Sequence, residues 1–249
     1  MPEDPSPFDD RTRQIVAQRV QEQDWDALRR SIDEDGYAVT PAPFLTPDAC
    51  RDLSDRFGDD DLYRSTIDMP RHRFGEGVYR YYRYPLPAAV AALREGLYGP
   101  LVPLANSWQE LLGQPERYPE RLDDLVEVCR RAGQTKPTPL ILSYESGGYN
   151  CLHQDLYGNV AFPLQVTVAL SQAGEDFTGG ENLFVEQRPR SQSRGTAVNV
   201  PLGHAVVFPN RFRPVKGTRG HYRVAVRHGV STVHTGRRHS LGIIFHEAR

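Results

Sequence analysis

The chain has 249 residues, 39% hydrophobic and 25% charged, with a formal net charge of −2. These proportions exclude a disordered or fibrous chain, and no apolar run approaches the ~20 residues that cross a bilayer. Three cysteines, Cys50, Cys129 and Cys151, form no Cys-x-x-Cys pattern; their odd number argues against a disulfide framework and suits a reduced compartment.

The near-neutral total hides an asymmetry. Residues 1–62 carry sixteen Asp and Glu against seven Arg, whereas residues 187–246 carry eleven Arg and Lys and no acid. The opening Met-Pro-Glu-Asp-Pro-Ser-Pro is acidic and proline-rich, unlike a secretory signal, so the cytoplasm is the expected location.

In chain order, Ile15, Val16, Val20, Trp25, Leu28 and Ile32 recur at roughly helical period, predicting a helix over 11–32 that stops at Gly36. Tyr37–Thr40 predicts a short strand. Thr46-Pro47 reads as an N-cap followed by proline at the first helical position, opening a helix to about Phe57. Residues 71–84 interleave basic and aromatic side chains around Gly75-Glu76-Gly77. One reading is a β-hairpin with Phe74, Val78 and several tyrosines packed inward. The other is a lip over a site, stacking on and charge-pairing with substrate. Helices are predicted over 87–96, 99–113 and 118–132.

From Pro137 the texture changes to short β-rich runs separated by Gly, Pro and Asn. Strands are predicted over 139–145, 149–154, 163–171, 182–187, 197–201, 204–209, 221–228 and 240–246. Such spacing predicts a sandwich or barrel. The expected class is α+β. Residues 1–135 form an N-terminal helical layer with a β-hairpin near 71–84, and residues 136–249 form a jelly-roll, cupin-like core. The two make one compact unit, because the helices have little to bury against but the outer face of the sheet.

His153 and Asp155 follow this core's first strand candidate. On an extended strand, residues i and i+2 share a face, so an imidazole and a carboxylate so placed can grip one metal ion. Cys151 would share that face, although a buried cysteine with no metal role is the simpler reading. A third ligand has to come from a distant strand. His228 ends the alternating run Tyr222-Arg-Val-Ala-Val-Arg-His and shares a face with Val224 and Val226, so it points into the core. His204, His234 and His239 sit beside turns or basic residues and read as solvent-facing. Each histidine taken alone reads as structural.

The combination of His153, Asp155 and His228 with Arg238 ten residues and Ser240 twelve residues beyond His228 resembles the Fe(II)- and 2-oxoglutarate-dependent oxygenases. The resemblance extends through Gly148-Tyr-Asn-Cys-Leu-His-Gln-Asp-Leu-Tyr-Gly, Phe177-Thr-Gly-Gly-Glu, Glu186-Gln-Arg-Pro-Arg-Ser-Gln-Ser-Arg and Arg227-His-Gly-Val-Ser. These runs look like a bacterial branch described as oxygenases acting on damaged or methylated nucleic acid, related to AlkB and the prolyl hydroxylases. Phe74-Gly-Glu-Gly and Tyr84-Pro-Leu-Pro carry the likeness into the N-terminal half.

The resemblance implies a double-stranded β-helix and a facial triad of His153, Asp155 and His228 that leaves three positions open on Fe(II). It implies 2-oxoglutarate and O2 as cosubstrates, with succinate and CO2 released as the substrate is hydroxylated or demethylated. It assigns the far carboxylate of 2-oxoglutarate to Arg238 and Ser240, assisted by Tyr144, nine residues before His153. The ten-residue spacing to the arginine is that of prolyl hydroxylases and small-molecule oxygenases; AlkB enzymes place it further away.

Three functions stay open at this point. They are oxidation of single-stranded or damaged nucleic acid, the same chemistry on a small molecule, amino acid or peptidyl side chain, and a cupin-like protein with a non-redox metal. The Arg-x-Ser pair argues against the last, since a structural metal needs no carboxylate clamp. For the first, Arg188, Arg190 and Arg194 are candidate phosphate contacts, faced by Arg71, Arg73, Arg80 and Arg83. Pairing of the basic half with the acidic N-terminal layer is the alternative use of those charges.

Overall fold

A computed structural model describes residues 8–155 and 157–249. The segment on which the absence of a secretory signal was expected lies outside them. Helices α1 (Asp10–Gln21) and α2 (Trp25–Asp35) stand where the apolar period predicts one helix. The break falls at Asp24, whose carboxylate accepts the Ala27 N–H at 2.9 Å and starts α2 afresh. After β1 (Ala38–Val39), α3 (Pro47–Asp55) opens as its sequence signature predicts, with the Thr46 hydroxyl accepting the Ala49 N–H at 3.2 Å. Thr46→Ala is therefore expected to cost about 1 kcal/mol of stability, read as a lower urea midpoint at unchanged slope.

Next come β2 (Tyr63–Asp68), α4 (Met69–His72), β3 (Gly75–Glu76) and β4 (Val78–Tyr82). Residues 71–84 are not the expected hairpin. β4 pairs with β2 and with β5 (Leu140–Tyr144), whereas β3 pairs with β6 (Tyr149–His153) in the other sheet. Gly75-Glu-Gly77 is thus a crossing between sheets. At Gly77, with φ 152°, an added Cβ would lie 2.8 Å from the Tyr144 ring, so only glycine lets the backbone cross there.

Helix α5 (Ala88–Leu111) runs unbroken through Pro100 and Pro103, where two helices are predicted. The carbonyls that lose a partner, four residues earlier, belong to Gly96 and Gly99. Val90, Leu93, Leu97, Leu101, Ala105 and Trp108 are all buried along it, so packing overrides the local signal. Helix α6 (Leu122–Arg131) follows.

The β-rich half continues with β7 (Leu164–Ala169), β8 (Phe177–Gly179), β9 (Asn182–Gln187), β10 (Arg194–Val198) and β11 (Ala205–Pro209). It ends with β12 (Phe212–Gly217), β13 (Gly220–Val230), β14 (Val233–Gly236) and β15 (Arg238–Ile243). The predicted strands of this half are present, except that the one expected over 197–201 is displaced: β10 ends at Val198, and 199–201 are not in a strand. β8, β12 and β14, which carry no clean alternation of apolar and polar residues, are additional, as is β2.

Two antiparallel sheets face each other. One runs β1-β11-β7-β15-β5-β4-β2, the other β10-β9-β13-β6-β3 with β12 beside β13, and β8 and β14 form a separate pair. Alternation along the central strands divides the larger sheet between two environments. Ile141, Val166, Val168, Val207, Leu241 and Ile243 belong to one core with Val16 and Val20 of α1, Leu28 and Ile32 of α2, Leu53 of α3 and Leu93 of α5. Val206, Phe208 and Ala169 join Phe184 and Val198 of the smaller sheet in a second core. Among the described residues, no helix is long and apolar enough to cross a membrane.

Candidate active site

Between the sheets lies a cavity of about 440 Å³ whose lining includes Tyr144, His153, Asp155, His228, Arg238 and Ser240. His153 on β6 and His228 on β13 are directly opposite each other in the ladder, with ring centroids 4.2 Å apart. His228 lies inside β13 rather than at its end, since the strand runs on to Val230. Asp155, by contrast, is not on a strand: β6 ends at His153, and Asp155 follows in a loop. Its Oδ2 is 3.2 Å from His228 Nε2 and its Oδ1 3.6 Å from His153 Nε2. One ligand atom from each of the three lies within 4.8 Å of the others.

The local electrostatics suit a cation. Burial raises the Asp155 carboxyl, but the hydrogen bond from His228 and the charges of both imidazoles outweigh it and hold the group well below the usual carboxylate range. Burial, aided by the neighbouring His228, lowers His153. His153 Nδ1 lies 2.7 Å from the Cys151 carbonyl, which can only accept, so Nδ1 carries the proton and Nε2 presents a lone pair towards Asp155. Two imidazoles and a carboxylate form the donor set of a non-haem iron(II) site.

Arg238 and Ser240 occupy alternate positions on β15 and point into the same cavity, with Arg238 directly opposite Tyr144 on β5. Arg238 is 4% exposed; its Nη1 donates to Ser240 Oγ at 3.0 Å and its Nη2 to Asn182 Oδ1 at 3.1 Å. Among the described residues no carboxylate pairs with it, and Glu181, which acts on it from a distance, is hydrogen-bonded to Ser231. Burial pulls its pKa below the ordinary value. A buried guanidinium without an anion is costly, so an anionic ligand is what this end of the cavity lacks. At Gly180, with φ 65°, an added Cβ would come 2.9 Å from Arg238 Cδ, which explains the glycine pair of Phe177-Thr-Gly-Gly. Arg237 faces outward and pairs with Glu145.

A family model described as oxygenase, catalysing oxidative methylation of damaged DNA, matches residues 77–248. The chain belongs to this oxygenase family. Two uncharacterized proteins of Mycobacterium tuberculosis, from strains CDC 1551 / Oshkosh and H37Rv, are each 49% identical to it over 164 residues, 66% of this chain and 70% of theirs. Its fold is shared with a Pseudomonas putida prolyl-4-hydroxylase at TM-score 0.53 and 16% identity, covering 90% of this chain and 99% of that one. A Trichoplax adhaerens prolyl hydroxylase, solved with a hypoxia inducible factor peptide fragment, superposes at TM-score 0.52 and 11% identity, over 96% and 94% of the two chains. Like them, the oxygenase is a double-stranded β-helix with helices packed on one side.

Other expectations need correction in this oxygenase. Cys151 is exposed at the cavity lining rather than buried. His204 is half-buried, with Nδ1 bonded to the Thr40 carbonyl at 2.8 Å. His239 packs its ring 5.6 Å from Phe57, and burial lowers its pKa to about 4. Arg80 is buried, stacked on Tyr63 and paired with Asp60, so it is no surface contact. Sequence reasoning also missed residues that the fold brings to the site. Gln165 places its amide nitrogen 3.0 Å from His228 Nε2, and Asn150 donates to the Tyr144 hydroxyl at 3.3 Å. Asn182 braces Arg238, and Tyr157 donates to Asp155 Oδ1 at 2.8 Å. Only the Gln165 position, a polar residue inside an apolar strand, carries a signal readable from sequence.

Proposed function

We infer that this oxygenase is an Fe(II)- and 2-oxoglutarate-dependent dioxygenase, with His153, Asp155 and His228 holding the iron and Arg238, Ser240 and Tyr144 the cosubstrate. The observation that carries the reading is the buried, anion-free Arg238 facing the same cavity as the His-Asp-His cluster. The chemistry that iron(II) with 2-oxoglutarate and O2 supplies is hydroxylation of a C–H bond, or removal of an N-methyl group, with release of succinate and CO2.

The chain's own residues bind and orient. Arg238 offers a planar fork to the far carboxylate of 2-oxoglutarate, and its bonds to Ser240 and Asn182 hold that fork in one plane. Burial pushes the Tyr144 phenol up to about 12, so it stays protonated and able to donate to the same ligand. The Cys151 carbonyl fixes the His153 tautomer. Leu142, Phe184 and Phe208 line the cavity and limit water around the reacting groups. Free thiols at Cys50, Cys129 and Cys151 suit a cytoplasmic location. The test is succinate release by the Fe(II)-loaded enzyme with methylated oligonucleotides, nucleotides, amino acids and peptides offered in turn. No release with any of them, and none uncoupled from substrate, would sink the assignment.

For the substrate, we propose a nucleic-acid strand. Among the described residues no ion pair joins an acid of residues 1–62 to a base of 187–246; Arg213 pairs with Glu186 and meets the acidic layer only through the backbone carbonyls of Asp33 and Glu34. The basic half is therefore not neutralised by the acidic layer. Arg188 pairs with Glu186 and Arg71 with Asp68, whereas Arg190 and Arg194 are exposed and no ion pair engages them. At the cavity lining, Arg73 adjoins Phe74, which is 46% exposed and stacked with His72 at 5.4 Å. Binding of a single-stranded oligonucleotide should weaken with salt by a logarithmic slope of about −0.7 per phosphate contact. Arg194→Ala should lower affinity for all sequences about equally. Absence of binding at low salt, together with turnover of a free amino acid or peptide, would favour the small-molecule reading, which the shared prolyl-hydroxylase fold supports.

A further inference from the structure

Asp155 differs from the two histidines in how it is held. The histidines sit opposite each other in a ladder, so the backbone places both rings. Asp155 lies beyond the end of β6, and the direction of its carboxylate depends on what its oxygens bond. Oδ2 turns towards His228 at 3.2 Å; Oδ1 stands further from the cluster, 3.6 Å from His153 Nε2, and accepts the Tyr157 hydroxyl at 2.8 Å.

We propose that Tyr157 is a positioning residue of the metal site: by occupying Asp155 Oδ1 it presents Oδ2 alone to the metal and keeps the carboxylate monodentate. This rests on His153, Asp155 and His228 being the ligands. The chemical consequence is specific. A carboxylate bound through both oxygens takes two coordination positions, whereas a monodentate one in a facial triad leaves three for a chelating keto acid and O2. A hydrogen bond to the outer oxygen removes the freedom to switch between the two modes.

Tyr157 is itself held from two sides. Its ring stands perpendicular to that of Tyr81 of β4, with centroids 6.2 Å apart. The imidazole of His246 lies 5.8 Å away at 38°. Tyr81 is fixed in turn by Tyr79, at 5.5 Å and perpendicular, and by the Arg64 guanidinium 4.4 Å over its ring. Tyr79 and Tyr81 thus turn inward and link the larger sheet to the carboxylate at the mouth of the smaller one.

The experiment is Co(II) binding to the metal-free protein, by equilibrium dialysis and by the visible d–d absorption of the bound ion. Wild type is compared with Tyr157→Phe, Tyr81→Ala (which removes the ring packed against Tyr157) and His228→Ala, and the melting temperature of each metal-free protein is recorded. Tyr157→Phe keeps the ring and loses only the hydroxyl. It should weaken Co(II) roughly 10- to 100-fold, as loss of an outer partner of a ligand does, and shift the absorption bands, with the metal-free melting temperature little changed. Tyr81→Ala should move both readouts the same way by less. Wild-type affinity and spectrum in Tyr157→Phe overturn the proposal. If that variant does not fold, an unchanged affinity and spectrum in Tyr81→Ala overturn it. Co(II) binding that survives unchanged in His228→Ala identifies a different failure, that of the ligand assignment.

Discussion

Arg238→Ala is expected to raise the KM for 2-oxoglutarate by about 30-fold or more while the fold persists. Truncating one partner of a buried, hydrogen-bonded charge pair costs ~2–5 kcal/mol, and the lower end corresponds to roughly 30-fold at about 1.4 kcal/mol per tenfold. The lower end already applies here because Arg238 is buried and, among the described residues, has only the neutral Ser240 and Asn182 as hydrogen-bond partners. Removing it therefore leaves no protein carboxylate stranded, so stability should suffer little. Arg238→Lys keeps the charge but loses the planar fork and should fall between. Arg237→Ala is the control: its guanidinium is on the surface with Glu145 and should leave KM near wild type. A defect in Arg237→Ala with a normal Arg238→Ala would mean that the cosubstrate lies outside the cavity.

His228→Ala should abolish the weak visible band that appears when Fe(II) and 2-oxoglutarate are added anaerobically. The loss of metal affinity should exceed the 10- to 100-fold typical of outer partners, because a ligand rather than its support is removed. His228 faces both Asp155 and His153 from the opposite strand, so no neighbouring side chain can take its place without moving β13. His204→Ala and His239→Ala should keep the band, since one ring bonds the Thr40 carbonyl and the other packs on Phe57. A full band in His228→Ala, lost instead in His204→Ala, would relocate the third ligand.

Much of the site is legible in the sequence because strand geometry is periodic. Arg238 and Ser240 are two apart on β15 and share a face, and Arg237 between them must face out. His228 follows the same logic along Val224 and Val226 on β13. Asp155 reaches the site for a different reason than its spacing suggests, from a loop in which Tyr157 and His228 take its oxygens. Local signals failed where burial outweighed them. The prolines of α5 do not break a helix whose apolar residues are nearly all interior, and Gly75-Glu-Gly77 crosses between sheets because Tyr144 occupies the space a side chain would need.

The sequence by itself determined the β-rich second half, the helical first part, the alternation that points His228, Arg238 and Ser240 inward, and the uneven distribution of charge. Only the tertiary structure decided what surrounds those side chains. Gln165, Asn150, Asn182 and Tyr157 reach the cavity from four different segments, and Arg80 turns out to be an interior brace. Whether the acidic first part neutralises the basic second part was likewise a question of distance, and no ion pair among the described residues spans the two. The physical reason is common to all of these. Periodicity along one strand sets the face on which a side chain lies, whereas its partners come from segments tens of residues away, whose approach is set by the packing of the two sheets and the helices.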